Sequence, residues 1–349
     1  RGPVHRKKCA ARTHPVKRKG IVLLSFAGIA LGIVLLIAGG TALVAGASQV
    51  ATRYGVSPLI VGLTIVAFGT SAPELVVNIL GALRGETGLA FGNVIGSNIS
   101  NLALVLGLAT IFRAIDLQGT VVKREVPLLL LITSIIIIMA LDGVLEGAPA
   151  RISLSDSLVL FLLFGVFIYI SVQDVMRTRA VDPLISEIES HPIVTTRRIN
   201  GRYWLLLALG LALLFTGGEM TIRNGVALAG QWGVSTAIVG LFVVAVGTSM
   251  PELVTSIIAA MRRESDLALG NIIGSNLFNS LIVLPATGVA GSITVPGAGV
   301  FDLAVSWLLA AVLIPVLFLG KARLSRFNGV LLVLAYIVYM TLRLTVIRA

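Results

Sequence analysis

The chain is dominated by long apolar segments, each about as long as an α-helix must be to cross a lipid bilayer. A spanning helix needs about 20 predominantly apolar residues, and ten segments of the 349-residue chain fit that requirement. They lie near residues 22–50, 56–82, 88–112, 125–142, 153–173, 203–229, 234–260, 266–290, 299–320 and 328–346. We therefore predict an all-α membrane protein with ten transmembrane helices.

The composition excludes a water-soluble globule. Hydrophobic residues make up 56% of the chain and charged residues only 12%, whereas about 25% of an ordinary soluble domain is charged. The net charge of +11 does not indicate nucleic-acid binding, because the basic residues lie in the first twenty positions and between the apolar segments. That distribution is typical of membrane proteins, so we expect a lipid bilayer and no nucleic acid as partner.

Lysine and arginine are distributed unevenly between alternate loops, which predicts the orientation. The loops on the same side as residues 174–202 contain fourteen basic residues, whereas the opposite loops contain only Arg84 and Arg151. The positive-inside rule then places both termini outside. The basic tail, residues 1–20, disagrees, and we follow the loops because many independent connections agree. We expect a multi-pass protein of the plasma (cell inner) membrane that functions as a monomer.

The second half of the chain repeats the first at a shift of 178 residues. Without a gap, residues 55–101 and 233–279 share 29 identities in 47 positions. Each half contains five predicted spans, and an odd number of spans inverts the second half relative to the first. Inverted repeats are typical of secondary transporters, whose sites lie near the midplane on interrupted helices.

The repeat also defines the organisation of the chain. We predict two inverted five-helix repeats, each accompanied by one polar segment. In chain order these are a basic tail at 1–20, the first repeat at 21–173, a polar cytoplasmic linker at 174–202, and the second repeat at 203–349.

Each repeat places a glutamate midway along its second span, within the sequence Gly-Thr-Ser-x-Pro-Glu. An acidic side chain at the bilayer centre costs at least about 2.5 kcal/mol, and no Lys or Arg lies near Glu74 or Glu252. A bound cation is the simplest compensation. The preceding hydroxyl residues lie three and four positions earlier, so they share one side of a helical turn with the glutamate. These hydroxyl residues are Thr70, Ser71, Thr248 and Ser249.

Proline makes backbone oxygens available in the same two spans. Pro73 and Pro251 cannot donate a hydrogen bond to the carbonyl four residues earlier. The carbonyl oxygens of Gly69 and Gly247 are therefore predicted to be free to act as ligands.

The third span of each repeat adds a stripe of polar residues at four-residue spacing, which places them on one helical face. The stripes are Asn93, Ser97 and Asn101 in the first repeat and Asn271, Ser275 and Asn279 in the second. We interpret the last two residues of each stripe as ligands. The other asparagines, which are predicted to connect helices by hydrogen bonds, are Asn93, Asn98, Asn271 and Asn276.

All of these groups are hard oxygen ligands, and together they suit calcium. Calcium binds about 6–8 oxygens in flexible geometry, and two glutamates balance its charge. Zinc or copper would favour His or Cys. The three histidines and the single cysteine lie outside the spans, at His5, His14, His191 and Cys9.

At these residues the chain resembles the sodium/calcium exchanger family of the cation/calcium antiporter superfamily, most closely its prokaryotic ten-helix members. The resemblance rests on the duplicated Gly-Thr-Ser-x-Pro-Glu and Gly-Asn-x-x-Gly-Ser-Asn motifs and covers nearly everything from residue 21 onward. It implies an antiporter and not an enzyme, with calcium and sodium as transported ions and no resident cofactor. It also implies Glu74 and Glu252 as central ligands, with backbone oxygens of Ala67 and Ala245 at outer sodium positions.

The hydroxyl ligands that the resemblance implies are Thr70, Ser71, Ser97, Thr248, Ser249 and Ser275. One position departs from part of the family, whose second repeat carries Asp where this chain has Asn279. The site therefore contains two formal carboxylates, which suits one calcium ion but neutralises several sodium ions less well. The sodium stoichiometry stays open, and the amide argues against potassium transport.

We predict calcium/sodium exchange by alternating access. Calcium/proton exchange is the alternative, in which Glu74 and Glu252 alternate between proton and calcium. A cation channel would use similar oxygens, but inverted repeats with broken helices favour a transporter. An intramembrane hydrolase would need a catalytic dyad or a metal. The spans contain no His or Cys, but the composition leaves a dyad of Ser with Glu open.

Overall fold

A computed structural model of the chain describes residues 15–116, 124–142, 147, 150–181, 201–231, 248–319 and 323–345. Most of this backbone is helical, and the regular structure is completed by two-residue strands. Helices are expected from such an apolar chain, because a bilayer offers no water to satisfy backbone N–H and C=O groups.

The first half contains both long helices and short interrupted ones. In chain order they are α1 Pro15–Tyr54, α2 Pro58–Val61, the π-helical segment π1 Gly62–Val66, α3 Ala67–Thr70, α4 Ala72–Leu83, α5 Thr87–Ile99, π2 Ser100–Val105, α6 Leu106–Phe112, α7 Val126–Ala140 and α8 Leu154–Val181.

The described helices of the second half follow a similar order. They are α9 Arg202–Gln231, α10 Met250–Met261, α11 Ser265–Phe278, π3 Asn279–Val283, α12 Leu284–Ala290, α13 Gly299–Leu319 and α14 Arg326–Thr345.

Six of the described helical stretches are long and apolar enough to cross a membrane, which confirms a membrane protein with several spans. They are Leu23–Tyr54, Ala90–Phe112, Leu154–Asp174, Arg202–Leu228, Ser265–Ala290 and Arg326–Thr345. The pair Pro58–Thr70 and Ala72–Leu83, bent by 44°, becomes a seventh when it is counted as one span. Three shorter apolar helices, Val126–Ala140, Met250–Met261 and Gly299–Pro315, lie within the remaining predicted spans.

Some predicted boundaries differ from those observed. Helix α8 continues to Val181, past the predicted end of the fifth span at residue 173. Residues 174–181 contain no Gly or Pro that would interrupt the helix. Helix α1 begins at Pro15, within the predicted tail. Residues 182–200 of the predicted linker and residues 234–247 of the predicted seventh span lie outside the described residues.

Helices α1 and α9 pack along each other through glycines. A Cβ built on Gly39 would lie 2.8 Å from the carbonyl oxygen of Gly210, and one built on Gly217 would lie 2.7 Å from that of Gly32. Such spacing leaves no room for a side chain, as is common where small residues bring membrane helices together. Early residues of α1 contact late residues of α9, so the two helices run antiparallel.

Helix α11 lies at the centre of the protein. In the helical stretch Ser265–Ala290, 94% of the most apolar part is buried inside the protein. In α14 the buried share is 22%, so that helix faces outward. Glycines again permit close approach: a Cβ on Gly270 would lie 2.5 Å from the carbonyl oxygen of Leu59, and one on Gly274 would lie 2.6 Å from that of Leu63. Helix α11, which contains most of the second polar stripe, is therefore packed directly against α2 and π1 of the first half.

Two short antiparallel ribbons connect loops of the two halves. Strand β1, Ile115–Asp116, pairs with β4, Arg323–Leu324. Strand β2, Arg151–Ile152, pairs with β3, Ile293–Thr294. Each ribbon joins one strand from each half, so the halves are connected outside the apolar helices as well as between them.

Candidate cation site

Both Gly-Thr-Ser-x-Pro-Glu motifs contain a helix break at the serine, three residues before the glutamate. Helix α3 ends at Thr70, Ser71 has φ −89° and ψ 5°, and α4 starts at the next residue. Ser249 has nearly the same backbone, φ −88° and ψ 8°, at the start of α10. Pro73 and Pro251 occupy the first turn, where a missing N–H removes no helical bond. Each glutamate therefore lies in the first turn of a helix, where the helix dipole favours negative charge.

Glu74 and Glu252 are both buried, with 1% of each residue exposed. The hydroxyl of Ser71 donates a hydrogen bond to Oε1 of Glu252 at 2.9 Å, so the first half contacts the carboxylate of the second. In both glutamates Oε2 has no hydrogen-bond partner. No ion pair involves either carboxylate in the part of the chain that the structure describes. Two buried negative charges thus lack a compensating basic side chain.

Thr70 lies where the two halves meet. Its Oγ1 donates to Oδ1 of Asn271 at 3.2 Å and lies 3.5 Å from Oγ of Ser275, both on α11. The same hydroxyl lies 3.3 Å from the carbonyl oxygen of Ala67, which also accepts the N–H of Ser71 at 3.0 Å. The structure therefore brings together four of the residues predicted as ligands: Ala67, Thr70, Ser71 and Ser275.

Two other predicted ligands have buried hydroxyls without a partner. Oγ of Ser97 and Oγ of Ser249 have no hydrogen-bond partner, and the two residues are 3% and 2% exposed. Leaving such a group unsatisfied costs about 1–3 kcal/mol, and its oxygen is a suitable ligand for a hard cation. Thr248 is partly buried. The predicted ligand Ala245 and the carbonyl of Gly247 lie outside the described residues.

Asparagines connect the third spans of the two halves, as predicted for Asn98 and Asn276. Nδ2 of Asn276 donates to the carbonyl oxygen of Asn98 at 3.2 Å, and Nδ2 of Asn98 donates to Oγ of Ser280 at 3.0 Å. Nδ2 of Asn101 donates to Oδ1 of Asn276 at 3.0 Å. Nδ2 of Asn279 donates to Oδ1 of Asn98 at 3.2 Å.

Asn101 and Asn279 have a free oxygen as well as this structural bond. Each is 1% exposed, and each Oδ1 has no hydrogen-bond partner. Asn101 lies in π2 and Asn279 begins π3, and π-helical insertions occur frequently at functional sites. The amide nitrogens therefore join the halves, while the amide oxygens are available as ligands.

Two residues beside the glutamates were not identified from the sequence. Nδ2 of Asn78 donates to the carbonyl oxygen of Glu74 at 2.7 Å. In the second half, Nδ2 of Asn271 donates to Oγ of Ser256 at 2.9 Å and lies 3.4 Å from the carbonyl oxygen of Glu252. Asn78 and Ser256 each follow their glutamate by four residues, and that spacing places them on the glutamate side of the helix.

The predicted ligands therefore comprise two buried carboxylates, and the remaining ligand atoms are neutral oxygens. In the described part of the chain, no group of three or more His, Cys, Asp and Glu residues could hold a metal. The two carboxylates provide a formal charge of −2, which equals the charge of one calcium ion, and hydroxyl and amide oxygens suit its coordination.

Comparisons with known proteins agree with this chemistry. Residues 24–173 and 202–345 match the family model described as sodium/calcium exchanger protein. CaxA of Alkalimonas amylolytica is 38% identical over 318 residues, which is 89% of this chain and 96% of the relative. Inner membrane protein YrbG of Escherichia coli (strain K12) is 33% identical over 325 residues, which is 92% of this chain and 97% of the relative.

The fold is also similar to that of a solved transporter. A structure of the sodium-calcium exchanger NCX_Mj matches with a TM-score of 0.77 and 27% identity, over 92% of this chain and 98% of that chain. The resemblance inferred from the duplicated motifs is confirmed, and the family consists of exchangers and not enzymes. This chain belongs to the sodium/calcium exchanger protein family.

Proposed function

We propose that the protein is a secondary antiporter that exchanges calcium for sodium across the membrane by alternating access. The observation that carries the proposal is the pair of buried carboxylates, Glu74 and Glu252, which have no basic partner among the described residues. Burying an uncompensated charge is strongly unfavourable, so the site favours occupation by cations. Calcium and sodium both prefer oxygen ligands, and their competition for one set of ligands couples the two fluxes.

The proposed ligands come from both halves and surround the two glutamates. Side-chain oxygens of Glu74 and Glu252 are central, and backbone oxygens of Ala67 and Ala245 serve outer sodium positions. The remaining ligands are Thr70, Ser71, Ser97, Asn101, Thr248, Ser249, Ser275 and Asn279. We propose that the protein needs no resident cofactor, because calcium and sodium are its transported substrates.

We propose ten transmembrane helices in two inverted repeats, residues 21–173 and 203–349, joined by residues 174–202. Reciprocal glycine contacts support this arrangement. At the 178-residue shift, Gly32 corresponds to Gly210 and Gly39 to Gly217. Gly32 contacts Gly217 and Gly39 contacts Gly210, which is the exchange of partners expected from two halves related by a two-fold axis.

The ribbons support the same two-fold relation. Strand β1 at residues 115–116 and strand β3 at residues 293–294 are separated by the repeat shift of 178 residues. Strand β1 pairs with β4, which precedes α14, the last described helix of the second half. Strand β3 pairs with β2, which precedes α8, the last described helix of the first half.

We propose a location in the plasma (cell inner) membrane, with both termini outside and the linker on the cytoplasmic side. The excess of basic residues in the loops on the linker side supports this orientation. The location also agrees with the name of the relative YrbG, an inner membrane protein. Because one chain supplies carboxylates from both halves, a monomer is sufficient for activity.

Reconstituted protein provides the test of coupling. Purified protein in liposomes loaded with sodium is diluted into sodium-free buffer that contains calcium, and calcium uptake is measured. We expect uptake that depends on the sodium gradient. Uptake driven by a pH gradient and unaffected by sodium would replace the proposal with calcium/proton exchange, and uptake that follows only the electrical and calcium gradients would indicate a channel.

A further inference from the structure

Ion pairs connect α7 to α8 in the first half and α13 to α14 in the second, with opposite signs. Arg124, just before α7, pairs with Asp174 on α8. Asp302, in the first turn of α13, pairs with Arg343 in the last turn of α14 at 2.9 Å. We propose that these ion pairs hold α8 and α14 in place and thereby position ion ligands in the opposite half. The inference rests on the proposed antiport function and adds positioning residues to its ligands.

The two ion pairs occupy equivalent places in the repeats. Arg124 and Asp302 are separated by the repeat shift of 178 residues. Their partners lie on helices that each follow a ribbon strand, α8 after β2 and α14 after β4. Asp174 is the 21st residue of α8 and Arg343 is the 18th of α14, a difference of less than one helical turn. The repeats therefore share the attraction between the two helices and not the charge at either position.

Partial burial strengthens both ion pairs. The side chains of Asp302 and Arg343 are 7% and 19% exposed, and those of Arg124 and Asp174 are 25% and 30% exposed. Asp302 also accepts a hydrogen bond from the hydroxyl of Tyr339 at 3.0 Å. Salt screens partly buried charges less than exposed ones, and loss of one partner leaves the other uncompensated. Each ion pair therefore resists separation of the two helices that it joins.

The helix dipole explains why the ion pair of the first half has a third member. Asp302 near the start of α13 and Arg343 near the end of α14 lie where the dipole favours their charges. Arg124 lies at the start of α7, where the dipole disfavours a positive charge. Glu125 follows it, is buried, and accepts a hydrogen bond from Nε of Arg124 at 2.8 Å. One additional carboxylate thus compensates the reversed polarity of this ion pair.

Helices α8 and α14 each pack against the opposite half. Helix α14 contacts α6 and π2 of the first half, and α8 contacts α12 and π3 of the second. A Cβ built on Gly107 of α6 would lie 3.0 Å from the carbonyl oxygen of Gly329 on α14. One built on Gly288 of α12 would overlap the hydroxyl of Ser157 on α8. Because these contacts leave no free space, a displacement of α8 or α14 would disturb the segments that it supports.

The supported segments contain two of the proposed ligands. Asn101 lies in π2 and Asn279 begins π3, and each has a buried Oδ1 without a hydrogen-bond partner. π-helical turns are rare, so their geometry depends on the helices packed against them. The α13–α14 ion pair of the second half therefore positions Asn101 of the first half. The α7–α8 ion pair of the first half positions Asn279 of the second.

Calcium titration of purified full-length protein in detergent tests this assignment across the halves. Asp302→Asn removes one charge of the α13–α14 ion pair but keeps an oxygen that accepts the Tyr339 hydroxyl. It should raise the dissociation constant for calcium about tenfold. Added to Asn101→Ser, the same substitution should raise it by no more than about twofold, because the ligand that it positions is already lost. Added to Asn279→Ser, it should still raise it about tenfold.

Asp174→Asn is the matched variant of the first half and should show the reverse pattern. Its effect on the calcium dissociation constant should largely disappear with Asn279→Ser and persist with Asn101→Ser. Equal effects in the two backgrounds would show that the ion pairs only stabilise the fold, which would contradict the proposal. Glu219→Gln is the control, because it breaks an ion pair within α9 alone, and it should leave the dissociation constant unchanged.

Exchange of the two charges tests the attraction itself. The double variant Asp302→Arg with Arg343→Asp gives the second half the polarity that the first half already has. It should bind calcium more tightly than Asp302→Arg or Arg343→Asp alone, because each single variant places like charges together. A double variant that folds where the single variants do not would also support the proposal. A double variant that does not fold, or that binds calcium no better than the single variants, would contradict it.

Binding and flux separate this inference from the proposed function. Loss of the cross-half pattern in the titrations, with sodium-driven calcium uptake intact in liposomes, would overturn the positioning role and leave sodium/calcium exchange standing. The expected pattern without sodium-driven uptake would support the positioning role and overturn sodium coupling. Absence of calcium binding by folded wild-type protein would overturn both.

Discussion

The two halves of the site contain the same motif but make different hydrogen bonds. In one direction across the interface, Ser71 donates to the carboxylate of Glu252 at 2.9 Å. In the other direction, Ser249, which corresponds to Ser71 at the repeat shift, is buried with its hydroxyl unpaired. Equal sequences therefore occupy unequal environments in one conformation of the protein.

The first stripe residue of each half differs in the same way. Asn271 accepts a hydrogen bond from Thr70 and donates one to Ser256. Its counterpart, Asn93, has a buried Nδ2 with no partner. Part of this difference is encoded, because Asn78 occupies the position equivalent to Ser256 and itself donates to the backbone of Glu74.

The comparison shows how a duplicated sequence can support alternating access. Equivalent residues in inverted repeats can exchange their environments when the protein changes the side to which it opens. We expect the bonds made by Ser71 and Asn271 here to be made by Ser249 and Asn93 in the opposite-facing conformation. Substitutions made in matched pairs, one in each half, test that expectation.

The largest loss of calcium uptake is expected from substituting the glutamates, and the loss should be equally large in the two halves. Glu74→Gln and Glu252→Gln each remove one of two charges that hold the cation, so each should reduce sodium-driven calcium uptake by at least about 100-fold. In detergent without calcium, the midpoint temperature of thermal unfolding should be unchanged or raised, because the substitution removes an uncompensated buried charge.

Glu219→Gln is the matched control for these variants. Glu219 forms an ion pair with Arg223 on the exposed face of α9, and exposed pairs contribute little. Uptake by this variant should equal that of the wild type. Near-normal uptake by either Glu74→Gln or Glu252→Gln would show that one half alone can carry the ion.

An intermediate effect is expected at the stripe asparagines, where the halves should differ. Asn271→Ala removes two buried hydrogen bonds, the one that Asn271 accepts from Thr70 and the one that it donates to Ser256, which should lower the free energy of unfolding by about 2 kcal/mol. Asn93→Ala removes an unpaired donor and should change that free energy by no more than about 0.5 kcal/mol. Chemical denaturation of calcium-free protein measures both, and equal losses would contradict the asymmetry.

The smallest effect is expected at the serines. Ser71→Ala removes one hydrogen bond to Glu252, worth about 1 kcal/mol, and should raise the apparent dissociation constant for calcium about fivefold. Ser249→Ala removes an unpaired hydroxyl and should raise it less in the same conformation. Calcium titration of the two variants shows which substitution raises the dissociation constant more. A larger effect of Ser249→Ala would indicate that the opposite conformation binds calcium.

Much of the architecture could be predicted because the signals are long or repeated. Apolar segments of spanning length predicted the membrane helices, and the duplicated motifs predicted the family. Pro73 predicted the helix interruption that the structure shows as a 44° bend. The ligand roles of the site residues stay predictions, although the structure brings many of these residues together in one buried cluster.

Other features could not be read from the sequence, for physical reasons. The ribbon strands are two residues long, too short to produce an alternating pattern. The π-helical segments at Asn101 and Asn279 depend on packing and contain no Gly or Pro as a signal. The unequal environments of Ser71 and Ser249 cannot follow from the motif, because the motif is the same in both halves. Asn78 and Ser256 each follow a glutamate by four residues, so the sequence does contain a spacing signal for them.

The central claim is that one cation is held jointly by a carboxylate from each half, and calcium titration of purified protein tests it most directly. We predict one calcium ion bound per wild-type chain, loss of that binding in both Glu74→Gln and Glu252→Gln, and full retention in Glu219→Gln. Calcium binding that survives with unchanged affinity in either of the first two variants would contradict the claim.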